Sequence, residues 1–206
     1  MYKFFKLLFD VVSASILLLL ISPIFVVIAI LVRIKLGSPI FFTQERTGYG
    51  TRKFRMIKFR TMTNERDVNG NLLPNEQRFT NFGKMLRSSS LDELPELFNI
   101  IKGDMAVIGP RPLPPTYDRY YTREERKRFN VRGGLITPDS LDKSSIISWD
   151  KQFQYEASYA DNVSFLLDLK ILINVFRILV QRRQTNYGEF VRKPLNIERA
   201  DNKLCD

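Results

Sequence analysis

At 206 residues the chain has room for one ordinary domain with a real core, and its formal charge of +10 and pI near 9.8 imply an anionic partner: phosphorylated substrates, nucleic acid or an acidic membrane surface. It contains no histidine and a single cysteine, Cys205, which excludes imidazole acid–base chemistry, His-containing metal sites, thiolate clusters and disulfides within the chain. Any chemistry falls to carboxylates, amines and hydroxyls, helped by a hard cation such as Mg²⁺ that prefers oxygen ligands.

Residues 11–32 carry no charge and are dominated by Ile, Leu and Val, a run of about 22 residues that is long enough to cross a bilayer. A cleaved signal peptide fits poorly, because Arg33 and Lys35 follow the run where a small-residue cleavage site would stand. A single transmembrane anchor is the simplest reading. Two features favour a re-entrant helix that dips into the membrane and returns. Ser22-Pro23 lies mid-run, where proline removes an amide donor and predicts a broken helix, with the serine hydroxyl able to reach a freed carbonyl. Basic residues also flank both ends, Lys3 and Lys6 before and Arg33 and Lys35 after, whereas a simple span keeps its positive charge on one side.

Residues 39–44 and 53–62 are rich in aromatic and β-branched side chains and are separated by Gly48-Tyr49-Gly50, which predicts a short antiparallel hairpin. In its second strand Lys58 and Arg60 share one face while Phe59 points to the other. The cationic face could hold phosphates, or it could be a charged edge that discourages aggregation. Residues 64–78 are polar around Asn69-Gly70-Asn71 and read as a loop over a site or into solvent, with no chemistry assigned.

From Asn81 a helical pattern runs through Phe82, Met85 and Leu86 to Arg87, and a second helix carries Leu94, Leu97, Phe98 and Ile101 to a stop at Gly103. Asp92 and Glu93 fall in the first turn of that second helix, where adjacent side chains can still serve one site. The same residues admit a plain structural account: Ser90 and Glu93 match the S-x-x-E capping box, with Asp92 complementing the helix dipole. Residues 105–112 read as a short buried strand ending in Pro110-Arg111-Pro112. That stiff turn presents Arg111 either to a phosphate or to a structural carboxylate.

Thr122 and Glu125 form another capping-box match, opening a short basic helix through Phe129 that reads as scaffold. Residues 162–180 are strongly apolar with one polar stripe, Lys170, Asn174, Arg177 and Gln181. Arg182 and Arg183 at the exit suit an anionic membrane surface, and burial in a core fits the apolar content as well.

The Ser22-Pro23 break, Lys58-Phe59-Arg60-Thr61-Met62, Arg87 with Ser90-Leu91-Asp92-Glu93-Leu94-Pro95, Lys102-Gly103-Asp104-Met105, Gly109-Pro110-Arg111-Pro112, and residues 162–170 recur in one order. Together they resemble the bacterial monotopic phosphoglycosyl transferases, in their minimal catalytic form, over residues 2–180. The resemblance implies an α-rich α/β membrane-associated single domain. It would comprise a re-entrant helix (1–36), a cytoplasmic-face catalytic domain (37–183) with a small β-hairpin and amphipathic interfacial helices, and a polar tail (184–206).

It further implies transfer of a sugar 1-phosphate from a UDP-sugar to polyprenyl (undecaprenyl) phosphate at the bacterial inner membrane, with release of UMP, as the first membrane step of a glycan pathway. Asp92 would be the nucleophile that forms an aspartyl-phosphosugar, Glu93 its partner, and Mg²⁺ would bind at both. Arg111 would clamp the nucleotide phosphates and Arg87 the acceptor phosphate, with Lys58 and Arg60 contributing. Residues 131–140 depart from the family's arginine-proline-glycine and threonine-glycine runs, which leaves the sugar unnamed. The alternative is a non-catalytic basic scaffold on anionic membrane lipids. Nucleic acid is not expected, since no zinc or aromatic-basic RNA-binding pattern is present. Nothing in the sequence specifies an oligomeric state.

Overall fold

The computed structural model describes residues 2–142, 147–181 and 192–200. Helix α1 (Tyr2–Leu36) is followed by the antiparallel hairpin β1 (Phe41–Thr47) and β2 (Lys53–Phe59), and then by the helices α2 (Asn75–Arg78), α3 (Asn81–Ser88) and α4 (Glu96–Ile101). Strands β3 (Met105–Ile108) and β4 (Gly133–Ile136) form a second, parallel pair, and α5 (Trp149–Asn162), α6 (Phe165–Gln181) and α7 (Leu195–Glu198) complete the chain. Helices with two small sheets match the α-rich class expected.

Helix α1 corrects one expectation: its helical pattern runs without interruption past Pro23. Proline lacks the N–H that would bond the carbonyl four residues back, that of Leu19, and Ser22 Oγ donates to this same carbonyl at 2.8 Å. The serine thus satisfies the acceptor that proline orphans. Along one face Ala14, Ile28, Val32 and Leu36 are buried against the body, while Ile16, Leu19, Leu20, Ile24, Val27, Ile30 and Ile34 point outward. Both ends are fastened. At the start, Tyr2 Oη donates to Asp168 at 2.6 Å and Lys6 pairs with Asp168 at 2.9 Å; at the finish, the Arg60 guanidinium donates to the Ser38 carbonyl at 2.7 Å and to that of Leu36. By length and composition this is one helix long and apolar enough to cross a membrane, which is compatible with membrane association.

Buried apolar side chains among the described residues fall into four clusters, and α1 contributes to two. Ala14 packs with Met56, Leu97, Ile100 and Met105, and Ile28, Val32 and Leu36 pack with Phe59 and Leu86. Helix α6 buries Ile171 but exposes Phe165, Leu166, Leu169, Leu172, Ile173 and Phe176, so most of its apolar surface is not taken up by the core. Arg182 and Arg183 lie outside the described residues. Of the segment read as a polar tail, residues 192–200 return to the body. Leu195 is fully buried with Trp149 and Phe153, and Trp149 Nε1 donates to the Lys193 carbonyl at 3.0 Å. Residues 184–191 and 201–206 lie outside the described residues.

Glycines set two close approaches. A Cβ on Gly83, in α3, would overlap the Thr61 carbonyl, and one on Gly134 would overlap the backbone of Gly109. The second explains part of the departure at residues 131–140: Gly133 and Gly134 are β4 itself, pressed against β3 and the proline turn that follows it.

Candidate active site

The two S-x-x-E matches fold differently, and the difference locates the site. At Thr122 the capping box forms in both directions, Glu125 N–H to Thr122 Oγ1 at 3.2 Å and Thr122 N–H to Glu125 Oε2 at 2.8 Å. At Ser90 it does not form. Ser90 adopts the left-handed conformation (φ 57°) and its side chain caps nothing, while Glu93 turns to Lys58 Nζ, 2.6 Å away on β2. Residues Leu91–Glu93 form a 3₁₀ turn between α3 and α4 instead of the first α-helical turn expected. Left-handed backbone at a non-glycine residue is strained by about 1–2 kcal/mol, and such strain concentrates at functional sites.

Asp92 is buried, and among the described residues no side chain donates a hydrogen bond to it. Burial pushes its pKa up, and the Glu93 charge adds to this; Lys58 and Arg87 act in the opposite direction. Lys58 is shared, pairing with Glu93 and also with Glu96 Oε1 at 3.0 Å. Glu96 is more deeply buried than Glu93, and that burial lifts its carboxyl to about 7.

A recess of about 630 Å³ opens on this turn, and all six residues singled out in the sequence line it: Lys58, Arg60, Arg87, Asp92, Glu93 and Arg111. Arg46 and Arg78 line it too, so six cations face two carboxylates. The six do not have equal standing. Arg60 is buried and its guanidinium is held by the carbonyls that end α1, which makes it a fastening for the helix. Arg87 is exposed and lies over the Phe79 ring at 5.0 Å, free to meet an anion. The Arg111 side chain is exposed while its backbone is fixed, its N–H donating to Glu156 Oε1 at 3.0 Å.

Arg46, Arg78 and Glu96 were not foreseen. Arg46 donates to Gln44 Oε1 at 2.7 Å, and its buried Nε has no partner. Burial and then the Arg111 charge lower its pKa, and both guanidinium-bearing residues line the recess. Its signal was its position on the strand that pairs with Lys58's strand. Arg78 sits at the end of the polar segment given no role, donating to Asn75 Oδ1 at 2.7 Å.

No group of three or more acidic or sulfur ligands occurs among the described residues. Mg²⁺ needs no such cage, since one or two carboxylates plus substrate phosphates and water suffice. Asp92, which no side chain among the described residues bonds, and the second oxygen of Glu93 supply a fitting all-oxygen set.

The fold and the recess define a helix-rich protein with one long apolar helix and a recess in which arginines and a lysine surround a buried carboxylate. The bacterial sugar transferase family model matches residues 1–182, and the chain belongs to that family. It is 45% identical over 185 residues to the uncharacterised sugar transferase EpsL of Bacillus subtilis (strain 168), covering 88% of this chain and 92% of that one. It is 34% identical over 189 residues to the UDP-glucose:undecaprenyl-phosphate glucose-1-phosphate transferase of Klebsiella pneumoniae, covering 86% of this chain and 41% of that protein. Over 187 residues it is 32% identical to the UDP-N-acetylgalactosamine-undecaprenyl-phosphate N-acetylgalactosaminephosphotransferase of Aeromonas hydrophila, covering 87% of this chain. It spans 44% of that relative.

Proposed function

We propose that this protein transfers a sugar 1-phosphate from a UDP-sugar to polyprenyl phosphate, releasing UMP, through an intermediate on Asp92. The observation that carries the reading is a buried aspartate, with no side-chain hydrogen-bond donor among the described residues, lining a recess rich in arginine and lysine. Burial makes the Asp92 carboxylate more basic than one in water, hence a better nucleophile, while the surrounding cations keep it ionised.

A carboxylate oxygen of Asp92 attacks the phosphorus that bears the sugar. The bond from that phosphorus to the bridging oxygen breaks, and UMP leaves with the electron pair. An oxygen of the acceptor phosphate then attacks the same phosphorus, and the Asp92 carboxylate departs. Repulsion between anionic nucleophile and diphosphate opposes the first step, and Arg111 with Arg46 offsets it at the nucleotide while Arg87 meets the acceptor phosphate. Lys58, held by Glu93 and Glu96, adds a cation beside the nucleophile. Mg²⁺ bound at Asp92 and Glu93 would supply neutralisation of the leaving phosphate oxygens.

The acceptor's phosphate stays at the lipid headgroups, so the recess must lie at the membrane interface. We read α1 as re-entrant, with both ends and the recess on the cytoplasmic face of the inner membrane. The fastening of Tyr2 and Lys6 to Asp168, on the same body that holds Leu36 through Arg60, supports that topology. A lipid-binding scaffold would leave the burial of Asp92 among these cations without a purpose.

The test is label transfer. Given UDP-sugar labelled in the sugar and no acceptor, the wild-type protein retains label, and Asp92→Asn retains none and loses turnover by at least about a thousandfold. Undiminished exchange in the variant would refute the reading.

A further inference from the structure

The geometry points to Glu156 as a positioning residue for Arg111, acting with Arg128 on the backbone of the proline turn; this rests on Arg111 binding the nucleotide phosphates. Pro110 and Pro112 have no amide hydrogen, so the Arg111 N–H is the triplet's sole backbone donor. It donates to Glu156 Oε1 at 3.0 Å. The Arg111 carbonyl accepts from Arg128 Nη2, and the same nitrogen stands 3.0 Å from Glu156 Oε2. One buried ion pair therefore holds both polar groups of the one residue in the turn that carries charge.

The surroundings fix the pair in turn. Gln152 Nε2 donates to Glu156 Oε1 at 2.9 Å, Arg128 Nη1 donates to Tyr121 Oη at 2.8 Å, and Arg192 Nη2 reaches Gln152 Oε1 at 2.7 Å. Arg192 belongs to the returning segment 192–200, beyond the part of the chain that the family model matches.

Stability alone is a poor account of this arrangement. Replacing a buried ion pair by apolar residues of similar volume is often neutral or stabilising, because desolvation offsets the attraction. Here Glu156 is fully buried and its Oε2 forms an ion pair without a hydrogen bond. What the pair achieves is placement: an exposed guanidinium whose backbone cannot swing, so that less freedom is lost when phosphate binds.

The test is a double-mutant cycle on the detergent-solubilised full chain, with UDP as the titrant in calorimetry and steady-state kinetics alongside. Glu156→Gln is expected to weaken UDP binding about tenfold and to raise KM for the UDP-sugar while leaving KM for polyprenyl phosphate in place. In the Arg111→Ala background the same substitution is expected to change UDP affinity less than twofold. Arg128→Lys keeps the charge but cannot fork between Tyr121 and the Arg111 carbonyl, and it is expected to repeat the pattern; it decides the matter if Glu156→Gln does not fold.

A full additional loss in the Arg111→Ala background would overturn the inference and leave Glu156 as scaffold. So would a lowered unfolding temperature with UDP affinity intact. If Arg111→Ala alone left UDP binding untouched, the nucleotide reading of Arg111 would fall, and the positioning role with it.

Discussion

Replacing Glu96 by glutamine should make the protein more stable at alkaline pH and leave it nearly unchanged at acid pH. The Glu96 carboxyl is buried, and its pKa is raised from 4.5 in the unfolded chain to about 7 in the fold. Between those two values the folded state holds a proton that the unfolded state has released. The contribution is therefore fully present below pH 4.5 and is lost as pH rises through about 7. At 1.36 kcal/mol per unit, the loss is about 3 kcal/mol above pH 8. Glutamine is neutral throughout, fits the same space and still offers Lys58 an acceptor oxygen in place of the 3.0 Å contact. Thermal unfolding of the two proteins in one detergent, from pH 5 to pH 8.5, should give curves that coincide at the acid end. At the alkaline end they should separate by about 6–12 °C in favour of the variant. A separation that stayed constant across the range would refute the argument, since it would mean that Glu96 does not titrate in the fold.

Gly83→Ala drives a methyl group into the Thr61 carbonyl and should cost about 1–3 kcal/mol, measured by unfolding, with a parallel fall in kcat because α3 carries Arg87 toward the recess. Arg60→Met should lower the unfolding temperature and leave KM for both substrates unchanged, since its guanidinium holds the end of α1 rather than the recess.

The residues that gather in the candidate site were largely legible because their signals are local. Asp92 and Glu93 are adjacent, Arg111 is bracketed by prolines, and Lys58 lies on a strand whose aromatic and β-branched run announces it. What escaped reading was decided by partners distant in the chain. Ser90 and Thr122 begin the same motif, but only Thr122 caps: Glu93 pairs with a lysine 35 residues earlier and Ser90 adopts the left-handed conformation. Arg46 and Glu96 carry no local signature, and they matter through the register that sets Arg46 opposite Phe54 and through the packing of α4 against β2. The continuity of α1 past Pro23 turned on one hydroxyl whose value shows only when its acceptor is identified as Leu19.

The hydrophobic helix at the front of the chain is also part of the body's interior. Ala14 closes one cluster and Ile28, Val32 and Leu36 another, the second of them packed on Leu91 and Leu94 at either side of the acidic pair. Trimming this helix to obtain a water-soluble protein would therefore strip away packing beneath the turn that carries Asp92 and Glu93 and expose the apolar residues it covers. Any preparation that keeps activity has to carry its amphiphile along, and inhibitor screens must be run in micelles or nanodiscs from the outset.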